Sequence, residues 1–172
     1  IIILHSISSC FMNEINKHLN YKKIMFLEGN LTIHDAGWSK SIIKMGLKKN
    51  SVYSNFVRSN YFEIITNSMV TNLKKTKIKK YFKNGNKFKN DSFYLLAKIG
   101  YERTISSEIS QFLIEDKKKF LYIIGSRELM KKTLSFLINS SIEYMTLDDC
   151  GHYPMIEKPG KIIDVIKQLH SN

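Results

Sequence analysis

A chain of 172 residues, 43% hydrophobic and 24% charged, is long and apolar enough for one domain with a real core, which excludes a disordered or collagen-like chain. Its formal net charge of +12 admits an anionic partner, but the lysines are spread through a chain also rich in Ile and Asn, so the expectation is a solvated lysine-coated surface and no nucleic-acid role. No apolar stretch approaches the roughly 20 residues that span a bilayer, and Cys10 and Cys150 lie far apart without metal-ligand spacing, so a soluble cytoplasmic protein with reduced thiols and no membrane association is expected.

The chain opens with IIIL (residues 1–4), which reads as a buried parallel strand, and residues 6–18 read as a helix. Ser6 then sits on the strand-to-helix turn, with His5 before it. KKIMFLEGN (22–30) is a second strand closed by a Gly-Asn turn signal. KKKFLYIIGS (117–126) and IEYMTLDDCGH (142–152) repeat the pattern, which makes four strands. Between the last two, residues 128–138 carry Leu129, Met130, Leu134, Phe136 and Leu137 at helical spacing, and Ile162, Ile163, Val165, Ile166 and Leu169 do the same near the C-terminus. Strands that alternate with helices imply a parallel sheet with right-handed crossovers.

Residues 31–116 break this rhythm. Helical candidates at 37–47, 52–67, 92–99 and 105–114, with no convincing pair of strands, suggest an inserted helical subdomain. Within it, residues 72–90 interleave lysines with Tyr81, Phe82 and Phe88, a pattern suited to phosphates or bases. A solvated loop and a lysine-coated helix face explain it better, since Gly85 between two Asn residues marks a plain turn.

Nucleophilic catalysis by serine needs a hydroxyl raised on a sharp turn, a histidine to take its proton and a carboxylate to orient that histidine. In open parallel sheets such groups gather at the carboxyl ends of strands. Ser6, Glu128 and His152 each follow an expected strand, in the order serine, acid, histidine.

These residues resemble the C-terminal part of an α/β-hydrolase. LHSIS (4–8) stands where that family has its G-x-S-x-G nucleophile elbow, and GSRE (125–128) resembles its glycine-to-acid spacing after the penultimate strand. CGHYPMIEKPGKIIDVI (150–166) is similar to its histidine loop and last helix, and LEGNLTIHDAGWSKSI (27–42) to the point where members leave the sheet for a helical cap. The resemblance implies a partial α/β-hydrolase fold of about four parallel strands with flanking helices. Core residues 1–30 and 117–172 would enclose a cap at 31–116. It also implies that Ser6 is the nucleophile, that Ile7 gives a backbone N–H to the oxyanion hole, and that His152 is the general base. Two acids are available. Glu128 holds the commoner family position and is favoured, while Glu28, after the second strand, holds a position some cap-bearing members use.

The family's elbow glycines are here Leu4 and Ser8, and a bulky Leu4 is expected to open the turn or displace the neighbouring helix. The resemblance also places the start of this sequence at the fifth strand of an eight-stranded sheet, so the first four strands, with the other oxyanion donor, are missing from it. That leaves IIIL as an edge that a second chain could cover. The implied activity is acyl transfer on a small ester-like substrate, with no cofactor or metal required. The pocket would be lined by cap aromatics such as Trp38, Tyr53, Phe56 and Tyr61. The other reading, favoured by Leu4 and the missing strands, keeps the fold as a scaffold without catalysis.

Overall fold

The computed structural model describes residues 1–44, 63, 66–70, 90–128 and 131–171. The helix expected at 52–67 lies mostly outside the described residues, and the lysine cluster 74–89 and Tyr53, Phe56 and Tyr61 lie outside them altogether.

Four strands, β1 (Ile2–His5), β2 (Ile24–Leu27), β3 (Phe120–Gly125) and β4 (Tyr144–Leu147), form one parallel sheet in the order β1-β2-β3-β4. The register pairs Leu4 with Phe26, Leu27 with Ile123, and Gly125 with Leu147, so the strand ends that precede Ser6, Glu28 and Ser126 lie along one edge. The α-helices that lie wholly within the described residues are α1 (Met12–His18), α2 (Gly37–Lys44), α3 (Asn90–Ile105), α4 (Glu108–Glu115), α5 (Lys131–Asn139), α6 (Pro154–Glu157) and α7 (Pro159–Ser171). Among the described residues, no helix is long and apolar enough to cross a membrane.

Strand alternation builds two cores. Ile24, Phe26, Phe120, Tyr122 and Ile124 point to one face, where Met12, Ile109, Leu113 and Leu137 cover them. Met25, Leu27, Leu121 and Ile123 point to the other, under Ile162 and Val165 of α7. β2 and β3 are buried on both faces, the pattern of parallel strands between helical layers. Each fully buried Phe or Ile contributes about 1.5–3 kcal/mol of transfer free energy.

Two helix boundaries differ from the expectation. The helix expected at 6–18 starts with a 3-10 segment, Ser6–Phe11, and becomes α-helical at Met12. The helices expected at 92–99 and 105–114 instead divide at Ser107, whose φ of 62° reverses the chain between α3 and α4. α3 runs on through Gly100, whose bare Cα receives Ile7: a β-carbon there would stand 2.6 Å from Ile7 Cδ1. The guanidinium of Arg103 grips both carboxylate oxygens of Glu14 and donates to Cys10 O (2.8 Å), which fastens α3 to the segment following Ser6.

Candidate active site

The turn after β1 holds Ser6 in an uncommon conformation. His5 is extended (φ −112°, ψ 132°), and Ser6 then swings to φ 53°, in the left-handed region that a side chain disfavours. Such backbone costs on the order of 1–3 kcal/mol and persists where its surroundings over-determine it. Two serines do so here. Ser8 Oγ donates to His5 O (2.7 Å); the fully buried Ser9 Oγ places its proton between Ser6 O (2.8 Å) and Asn30 O (3.1 Å) while accepting from Asn30 N (2.8 Å). Leu4, expected to open the turn or displace the neighbouring helix, is buried in the same core cluster as Ile24 and Phe26, and Ser6 beyond it holds φ 53°.

His152 lies on the loop after β4. Its Nε2 is 2.9 Å from Ser6 Oγ, and its Nδ1 is 4.0 Å from Glu28 Oε2. The second distance exceeds a hydrogen bond but is short for a Coulomb interaction. Glu28 follows β2 with φ 51°, and its side chain is 6% exposed. Its other oxygen, Oε1, accepts from Gly125 N–H, and Tyr122 Oη donates to Gly29 O (2.7 Å), which fixes the backbone just after Glu28. Gly125 is also needed for the close approach of the His152 loop: a β-carbon would stand 2.5 Å from Cys150 O.

Glu128 ends the 3-10 segment Ser126–Glu128 after β3, and its side chain lies outside the described residues. Ile7 follows Ser6 in the first turn of a 3-10 segment, where N–H groups lack intrahelical partners.

His5 joins the site from the nucleophile strand. Its Nε2 is 2.7 Å from His152 O, so it carries the proton there and donates to the carbonyl, and its ring centre lies 5.0 Å from that of His152 and 5.2 Å from that of Tyr153. Sequence reasoning did not assign His5 a part; its place beside Ser6 was the available signal. Burial lowers the His5 imidazole, against the carbonyl bond that raises it. Burial, with the nearby His5 second, pushes the His152 imidazole down to about 4, so at neutral pH its Nε2 is free to accept the Ser6 proton. Among the described residues, no group of three or more His, Cys, Asp or Glu is placed to hold a metal ion.

No family model and no curated protein sequence matches the chain. Solved structures do. A structure from a study of carboxylesterases of the ammonia-oxidizing thaumarchaeon Nitrososphaera gargenis superposes with a TM-score of 0.67 at 17% identity, covering 99% of this chain and 64% of that one. Est816, described as an N-acyl homoserine lactone degrading enzyme, superposes with a TM-score of 0.54 at 10% identity, covering 96% of this chain and 65% of that one. The chain thus spans just under two thirds of the length of the hydrolases it resembles. At these identities the likeness is one of fold, and on the parallel sheet, its flanking helices and these superpositions the chain has a partial α/β-hydrolase-like fold.

Proposed function

We propose that this chain carries the acid-base and nucleophilic part of a serine hydrolase that transfers the acyl group of a small ester. The observation that carries the reading is the 2.9 Å contact between Ser6 Oγ and His152 Nε2, made by a serine held at φ 53° on a strand-to-helix turn. His152 takes the Ser6 proton as the hydroxyl attacks the ester carbonyl, and then returns it to the leaving alcohol. Glu28 orients His152 and stabilises the imidazolium that forms, a role supported by its 4.0 Å approach to Nδ1. Glu128, in the commoner family position, is the alternative acid. Ile7 N–H faces the developing oxyanion. A second donor belongs to the strands that would pair with the open edge of β1, where Ile1 and Ile3 are 39% and 44% exposed, whether they come from the same polypeptide or a second chain. Titration of this kind needs no metal or organic cofactor.

The esterase-like neighbours support an ester substrate at the level of fold. The second reading, a hydrolase-like scaffold without turnover, is favoured by Leu4 standing where the family has glycine. Labelling of the purified chain with a reactive fluorophosphonate separates the two. Labelling that disappears in Ser6→Ala and falls steeply in His152→Ala is the expected result. A folded chain that stays unlabelled sinks the enzyme reading.

A further inference from the structure

Residues 68–70, from the insertion between β2 and β3, meet the loop that carries His152. His152 N–H donates to Ser68 O (2.9 Å), Arg127 Nη1 donates to Met69 O (2.8 Å), and Val70 N–H donates to Glu157 Oε2 (2.7 Å). The approach is close enough to require glycine beside the histidine: a β-carbon on Gly151 would stand 2.2 Å from Ser68 O.

Glu157, at the end of α6, is 7% exposed. Its Oε1 accepts from Gly151 N (3.0 Å) and Tyr153 N (3.3 Å), the two neighbours of His152. Its Oε2 reaches the insertion at Val70 N. One buried carboxylate thus spans both flanks of His152 and the segment that bonds the His152 amide itself. A carboxylate suits this because both of its oxygens accept, whereas an amide presents a donor at one of the two positions. Backbone N–H bonds to the charged form are also what make a buried carboxylate tolerable.

We propose that Glu157 is a positioning residue that ties residues 68–70 to the His152 loop, so that the insertion sets the aim of the His152 imidazole at Ser6. The proposal rests on the reading of His152 as general base. Glu157 then serves as a strut between residues 68–70 and the loop that carries the base.

The test uses the full chain with Glu157→Gln and Arg127→Ala. In Glu157→Gln the amide oxygen can keep the Gly151 and Tyr153 bonds while its NH2 group faces the Val70 N–H. Arg127→Ala cuts the Met69 bond and leaves Glu157 intact, so it decides the question if Glu157→Gln does not fold. Two quantities are read at a temperature where circular dichroism shows each variant folded. One is the rate of Ser6 modification by fluorophosphonate; the other is the titration of the His152 ring by NMR, its signal identified by its loss in His152→Ala.

Modification about ten- to a hundredfold slower, with the His152 midpoint moved up from about 4 toward 6.5 as the ring gains solvent, is expected. Folded variants that keep both the wild-type rate and the wild-type midpoint, with only a lower melting temperature, would overturn the proposal. If the parent chain is not modified at Ser6, the functional reading fails by itself. The ring titration then decides alone: a raised midpoint in the variants supports the strut, and an unchanged midpoint refutes it.

Discussion

Glu28 Oε2 stands 4.0 Å from His152 Nδ1, although Glu28 follows β2, His152 lies on the loop after β4, and the whole insertion separates them in the chain. The parallel register brings them together, since β2 and β4 flank β3 and their carboxyl ends share one edge. Glu28→Gln keeps an oxygen for the Gly125 N–H and removes the charge beside His152. The expected outcome is a loss of ester hydrolysis of about 10²–10⁴ with little change in melting temperature, whereas Glu128→Gln stays within about threefold of the parent. Hydrolysis of a p-nitrophenyl ester by the two variants checks this, and the reverse order would assign the acid role to Glu128.

The pH dependence of reaction follows from the low His152 value. The imidazole must be neutral to take the Ser6 proton, and burial keeps it neutral down to about pH 4. Fluorophosphonate modification should be nearly level from pH 8 to pH 6 and fall only as the pH drops toward 4. An inflection near 6.5 would mean that His152 is solvated in the working protein.

Stability should follow pH in the same direction. His5 and His152 both sit below the ordinary imidazole value of 6.5 in the folded chain. As the pH falls, the unfolded chain therefore takes up protons first. Their contribution is complete above about pH 7 and is lost as the pH falls below 6.5, for His152 down to about 4, with an upper limit of about 1.4 kcal/mol per pH unit per histidine. Thermal unfolding at pH 5 and pH 7.5 should show the lower melting temperature at pH 5, and His152→Ala should narrow the difference.

Two glycine substitutions should have opposite signs. A methyl on Gly125 meets Cys150 O at 2.5 Å and Gly151 O at 2.6 Å, both backbone atoms of the His152 loop. Gly125→Ala is expected to cost about 1–3 kcal/mol and to slow Ser6 modification. At Gly160, near the start of α7, a β-carbon has nothing within 4 Å, so Gly160→Ala should stabilise by up to about 1 kcal/mol. Denaturant unfolding of both variants measures the contrast.

The four strands were legible in the sequence because each is a short apolar run closed by a turn signal, and burial of β2 and β3 on both faces is what such runs encode. The 3.6-residue spacing likewise announced α7 through Ile162 and Val165. Helix ends were less legible. Gly100 lies inside α3, where its bare Cα packs on Ile7, and the break at Ser107 is a single left-handed residue with no strong local signal.

At the candidate site, sequence by itself determined that Ser6 and His152 follow strands of one parallel sheet, and parallel strands deliver their carboxyl ends to one edge whatever the spacing between them. Only the tertiary structure decided that Glu28 lies beside His152, that His5 donates to its carbonyl, and that Glu157 bridges its loop to residues 68–70. It also decided that Leu4, where the family has glycine, is buried in the core while Ser6 beyond it holds φ 53°. The physical reason is the same in each case. Periodicity reports what a segment buries, whereas these contacts join residues distant in the chain through single hydrogen bonds and short electrostatic approaches, which leave no mark on either segment's own pattern.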